Sequence, residues 1–150
     1  MTADSASSTS STHSHGGAGP HGLHVPFAVH LRLPAFHPHE GHGRFEMVVE
    51  EIHLRHGGVM HGGVVAALLD TVMGHAAYSL APKGHAAMTM QLNLNLTGTA
   101  KLGDRIVAEA TPVNANRRMA VMNGTLRRED GKLLAIGSAT MMYLQEGVRS

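Results

Sequence analysis

The sequence has no cysteine and no tryptophan, and only two tyrosines and three phenylalanines. Without cysteine there is no disulfide, no thiolate zinc site and no cysteine nucleophile, a usage that fits a cytoplasmic chain. Charge is scarce and balanced. Twelve basic and 11 acidic side chains leave a formal net charge of +1, which gives nucleic acid or an anionic membrane no field to respond to. The few aromatics offer no stacking platform either. Long apolar runs are also missing: the most hydrophobic stretch, residues 59–80, is short and interrupted by Asp70 and His75, which argues against a membrane span.

What remains is enough for one domain. With 150 residues and 43% hydrophobic content, the chain can bury a sizeable core, and a second domain is not expected. Residues 1–24, MTADSASSTSSTHSHGGAGPHGLH, hold almost nothing to bury and are expected to form a disordered tail ahead of a folded domain over 25–150. They show neither the basic start and apolar run of a secretory signal nor the arginines of a transit peptide, so no targeting is expected. Histidine is abundant, with 13 copies. Of these, His13, His15, His21 and His24 fall in the tail, and His37, His39 and His42 in the loop-like FHPHEGHG. Imidazoles on a loop lack the rigid frame that a metal centre needs, so the reading is a solvated loop, with no metal and no cofactor.

The centre of the sequence is VMHGGVVAALLDTVMGHAAYSL, residues 59–80. After His61-Gly62-Gly63 its apolar residues cannot share one stripe, and the spacing predicts a helix that is buried on most sides. Asp70 stands in its middle. A carboxylate buried there costs several kcal/mol unless it is partnered or protonated, so Asp70 is either paired, with Thr71 or a strand arginine, or functional. Two turns, His56-Gly57-Gly58 and His61-Gly62-Gly63, precede the helix and leave backbone N–H groups at its positive end, a corner suited to an anion. The same glycines would also serve close packing on a strand, and His61 would also serve as a cap.

Around this helix the pattern has period two. Residues 44–54 read as a strand with Phe45, Met47, Val49 and Ile52 on its apolar side, and residues 27–33 as a strand or a short helical turn. Beyond the stop at Ala81-Pro82-Lys83-Gly84, residues 85–96 put Met88, Met90, Leu92, Leu94 and Leu96 on one face and Thr89, Gln91, Asn93 and Asn95 on the other. Strands over 105–113, 118–128 and 133–144 follow, the last two joined by Asp130-Gly131, a strong hairpin signal. A strand, a long helix and four strands on short connections imply an α+β fold, an antiparallel sheet wrapped around one central helix. One sheet covers only part of such a helix, so a second copy is expected to help close it, in a homodimer or homotetramer. Met73, Tyr78, Met88 and Met90 are candidates for the floor of an adaptable apolar pocket.

The run HGGVVAALLDTVMG, followed at a fitting distance by MTMQLNLNLTGTAKLGD, resembles the hotdog-fold acyl-CoA thioesterases of the PaaI type over about residues 44–144. The resemblance implies hydrolysis of the thioester between a small, aryl or medium-chain acyl group and coenzyme A, at active sites shared across a dimer interface. Carried onto this chain, it makes Asp70 the catalytic carboxylate, as base or nucleophile, and gives the Gly62 amide, after His61, the polarising contact to the thioester carbonyl. Thr89 matches a Ser/Thr that helps hold water or substrate. The family often places Asn six residues before the His of His-Gly-Gly, where this chain has Arg55. Arginine cannot accept a hydrogen bond, so Arg55 becomes a candidate for the coenzyme A phosphates. Gly63 and the basic pair Arg117-Arg118 complete the candidate substrate contacts, a solvated hairpin being the alternative account of that pair. The rival to an enzyme is a non-catalytic hotdog protein that binds acyl-CoA, which Arg55 favours. A hotdog dehydratase would want a catalytic histidine elsewhere on the scaffold, and Asp70 inside the helix argues against it.

Overall fold

The structure is a computed structural model that describes residues 26–35 and 37–147. The tail expected over 1–24 lies outside them. A five-residue helix α1 (Pro26–His30) resolves the reading of residues 27–33 as a helical turn. Then come β1 (Gly43–Val48), one 3-10 turn (Glu51–His53), the long helix α2 (Gly62–Tyr78), β2 (His85–Leu96), β3 (Arg105–Ala115), β4 (Met119–Arg128) and β5 (Leu133–Gln145). The five strands form one sheet in the order β1-β3-β4-β5-β2, every neighbouring pair antiparallel. Short turns join β3, β4 and β5, while α2 carries the chain from one edge strand, β1, to the other, β2.

One side of α2 beds on the sheet. Leu68, Leu69, Val72, Met73, Ala76 and Ala77 are wholly buried, against Ile106, Ala108, Ala120, Met122, Leu126 and Met141 from the strands. Burying a large apolar side chain of this kind stabilises the fold by about 1.5–3 kcal/mol. Small residues on the strands let the helix approach closely: a Cβ added at Gly124 would stand 3.0 Å from the sulfur of Met73. At the helix C-terminus the Tyr143 hydroxyl donates to the Ala77 carbonyl at 3.0 Å, and burial pushes that phenol's pKa up. The other side of α2 is open, with Ala66, Ala67, Asp70, Thr71, Gly74 and His75 only half-buried. Burial lowers the His75 pKa, which keeps the ring neutral at pH 7. No described helix is long and apolar enough to cross a membrane. The architecture is the hotdog fold, in the α+β class.

Two expectations about strands need correction. The strand read over 44–54 ends at Val48, because the Glu50 N–H turns to the His53 ring and closes the 3-10 turn, leaving Ile52 exposed rather than on an apolar rhythm. Plain alternation also fails along β2. Its register with β5 runs Thr89 to Met141 and then Gln91 to Thr140, so Met90 is an extra residue, a β-bulge. Before the bulge Ala87 and Thr89 face α2. After it Leu92 and Leu94 do, while Met88 and Met90 are exposed. Thr89 therefore shares the helix face with Leu92 instead of opposing it.

Candidate active site

The glycine corner is built almost entirely by the backbone. Arg55 opens a tight turn in which its N–H donates to Val59 O at 2.9 Å and its carbonyl accepts from Gly58 N at 3.2 Å. Gly57 and Gly58 sit at φ 95° and 71°, a region that a β-carbon disfavours. Met60 N donates to Ala100 O at 2.8 Å, and His61 N to His53 O at 2.8 Å. His61 is the N-cap of α2: its ring Nδ1 accepts the Gly63 N–H at 2.8 Å, while its carbonyl accepts from Val64 and Val65. That allocation leaves the Gly62 N–H without an acceptor among the described residues, at the positive end of a 17-residue helix. Gly62 lines a cleft of ≈ 330 Å³ together with Arg55, Met60, Leu96, Thr97 and Thr99. The sequence reading of His61 as a cap holds, and it separates the two glycines, since the Gly63 amide is occupied and the Gly62 amide is not.

The carboxylate sits two turns further on. Asp70 is half-buried on the open side of α2, and Thr89 donates its hydroxyl to Oδ1 at 2.7 Å. The partner is neither Thr71 nor a strand arginine. The Met141 sulfur lies 3.2 Å from the same hydroxyl. One carboxylate oxygen is thus oriented and Oδ2 is left available among the described residues. Eight residues of helix separate Gly62 from Asp70, about 12 Å at 1.5 Å per residue, so within one chain they cannot reach the same carbonyl.

Other candidates scatter. Arg55 is exposed, donates from Nη1 to His56 O at 3.2 Å, and shares the cleft with Gly62. Arg117 and Arg118 are exposed in the β3–β4 turn and form no ion pair with a described residue. That turn lies at the far end of the sheet: Arg118 O accepts from Tyr143 N, next to the helix C-terminus, whereas Gly98, at the cleft, bonds Leu134 O. Of the expected pocket floor, Met73 is core and Met88 and Met90 face outward at 53% and 56% exposure, because the bulge turns them there. Tyr78 donates to Glu146 at 3.1 Å. His37, His39 and His42 line a separate outer groove with Arg44 and Glu109, and no group of three metal-ligating side chains converges among the described residues. Sequence reasoning missed Thr97 and Thr99 and the buried His53. A threonine on each side of Gly98 was the one available signal for the cleft wall.

The sequence profile of the thioesterase superfamily matches residues 57–135, more than half of the chain. The chain belongs to this superfamily. The match takes in His61, Gly62, Asp70 and Thr89 and begins two residues after Arg55. Human acyl-coenzyme A thioesterase 13 is 32% identical over 96 residues, which are 63% of this chain and 68% of that protein. Among solved structures, the phenylacetic acid degradation protein PaaI of Thermus thermophilus, solved as a mutant, is 28% identical with a TM-score of 0.67, covering 73% of this chain and 92% of the other. Thioesterase superfamily member 2 of zebrafish is 30% identical with a TM-score of 0.64, covering 69% and 75%. The chain is a PaaI-like thioester hydrolase.

Proposed function

We propose that this hydrolase acts on an acyl-coenzyme A with a short, aryl or medium-chain acyl group, in a homodimer or homotetramer whose sites combine Gly62 of one copy with Asp70 of another. The observation that carries the reading is the pairing of one uncommitted helix-terminal N–H, at Gly62, with one carboxylate oriented by Thr89 and open on its other oxygen. The thioester carbonyl oxygen accepts from Gly62 N–H. Asp70 takes a proton from a water as that water attacks the carbonyl carbon, the C–S bond breaks, and the proton passes to the departing thiolate. Direct attack by Asp70 on the carbonyl is the other use of the same geometry. Support for the acyl-coenzyme A class comes from the human relative's name.

Support for the assembly comes from β2. It is a 12-residue edge strand with Met88, Met90 and Leu96 half-exposed or more, and an edge of that length offers its free N–H and C=O groups to a second β2. Turnover of an acyl-CoA panel from short aliphatic through aryl to long-chain tests the function, and hydrolysis of none would replace it with acyl-CoA binding. Light scattering tests the assembly: a stable species at the 15.8 kDa chain mass that retains full activity would refute the shared site.

A further inference from the structure

We infer that His53 is the positioning residue of the Gly62 corner, an inference that rests on Gly62 N–H being the oxyanion donor. His53 is wholly buried and does not line the cleft. Both ring nitrogens are engaged by backbone. Nδ1 lies 2.9 Å from Glu50 N, which can only donate, so Nδ1 carries no proton. Nε2 therefore holds the proton and donates to Leu31 O at 2.8 Å. The tautomer follows from the partners. The same residue's carbonyl accepts the His61 N–H at 2.8 Å, and Leu54, the next residue, bridges Met60.

The imidazole thus ties the residue after α1 to the segment after β1, and the carbonyl of the same residue holds the N-cap of α2. A leucine would fill the space without needing polar partners. What the imidazole adds is direction: with both nitrogens bonded, the ring, the 3-10 turn and the His53 carbonyl have one arrangement. The backbone N–H of His61 follows that carbonyl, and the Gly62 N–H is the next donor along the chain. A shift of about 1 Å in a group that must meet a reacting atom can cost about a hundredfold in rate.

Two variants of the full chain divide the two ring bonds. His53→Asn keeps an acceptor at the Nδ1 position and loses the donor to Leu31. His53→Gln keeps the donor and leaves the Glu50 N–H unanswered. The kinetic constants are measured on the acyl-CoA that the wild type hydrolyses best, together with the melting temperature. The expected result is that His53→Gln lowers kcat at least about tenfold with KM within about twofold, and that His53→Asn restores kcat to within about threefold of wild type. A folded His53→Gln with wild-type kcat overturns the inference, as does a fall in melting temperature in both variants with kcat unchanged, the mark of a merely structural histidine. If His53→Gln does not fold, His53→Leu, which fills the space without polar partners, takes its place: a tenfold loss of kcat with KM within about twofold supports the inference, and wild-type kcat overturns it. Gly62→Pro, which removes the N–H and adds the proline ring at a position that tolerates it, separates the underlying reading. A loss of kcat there with none in His53→Gln overturns the role of His53 alone, whereas retained kcat in Gly62→Pro removes the donor itself.

Discussion

Gly62 and Asp70 stand on the same helix and are held in opposite ways. The amide is fixed by a web of hydrogen bonds, His61 to His53, Met60 to Ala100 and Gly63 to the His61 ring, all closed within one chain. The carboxylate is held by one hydroxyl on an edge strand, Thr89 of β2, and faces the uncovered side of α2. On the proposed reading, one half of the site is a property of the folded chain and the other half is completed by a second copy. The same flank of this apolar helix carries small, half-buried residues, Ala66, Ala67 and Gly74.

The sharpest way to break this comparison is to remove each half separately and then mix them. Gly62→Pro deletes the N–H at the first helical position, where proline is tolerated, and the nearest atom to an added Cβ is the flexible Leu96 Cδ2 at 3.2 Å. Its kcat is expected to fall roughly 100- to 1000-fold, the usual cost of one oxyanion donor. Asp70→Asn keeps the shape and the Thr89 contact and is expected to lose at least about a hundredfold in kcat while folding and assembling normally. If each site draws on two copies, coexpressed or remixed Gly62→Pro and Asp70→Asn chains form mixed dimers with one intact site, and activity recovers to roughly a quarter of wild type. No recovery despite proven exchange of subunits would overturn the shared site.

A smaller effect is expected at the hydroxyl. Thr89→Val removes the bond to Oδ1 and leaves the shape, so kcat is expected to drop about tenfold, in line with the energy of a hydrogen bond to a charged group. Thr89→Ser keeps the donor and is expected to stay within about threefold of wild type. A loss in Thr89→Ser with none in Thr89→Val would mean that the methyl group's packing, and not the hydrogen bond, is what Asp70 depends on.

Much of this arrangement was legible in the sequence, for identifiable reasons. The buried helix followed from an apolar run that no single stripe could hold, and the antiparallel sheet from period two and from Asp130-Gly131, whose turn the Asp130 carboxylate caps by accepting Lys132 N–H at 3.1 Å. Asp70 stood out because a carboxylate in such a helix needs a reason. Thr89 was singled out by the family resemblance as a residue holding water or substrate, not as the partner of Asp70 that the structure shows, and alternation alone placed it away from Leu92. A bulge inserts one residue without changing composition, so nothing at Met90 announces it. The end of β1 was hidden for a similar reason: Ile52 fits a strand rhythm, and only the three-dimensional meeting of the His53 ring with Glu50 and Leu31 ends it. Arg117 and Arg118 looked like phosphate ligands by charge alone, and no local pattern says at which end of a sheet a hairpin falls.

The smallest expected effect decides where the coenzyme lies. Arg55 shares the cleft with Gly62, Thr97 and Thr99, whereas Arg117 and Arg118 project from the opposite end of the sheet in the same chain. An exposed cation on a phosphate contributes on the order of 1 kcal/mol, about fivefold in an equilibrium constant. Arg55→Ala is therefore expected to raise KM about fivefold for coenzyme A esters and to leave kcat nearly unchanged, because the energy removed acts equally on ground and transition states. For a truncated thioester that ends at the pantetheine thiol, the same change is expected to leave KM within about twofold. The double change Arg117→Ala, Arg118→Ala is expected to move neither constant beyond about twofold. Were the hairpin pair to give the coenzyme-selective rise instead, the nucleotide would run toward the helix C-terminus of one copy while the thioester meets the glycine corner of the other. Arg55 would then be acting at the carbonyl, in the place where the family more often has asparagine, and Arg55→Asn would be expected to raise kcat.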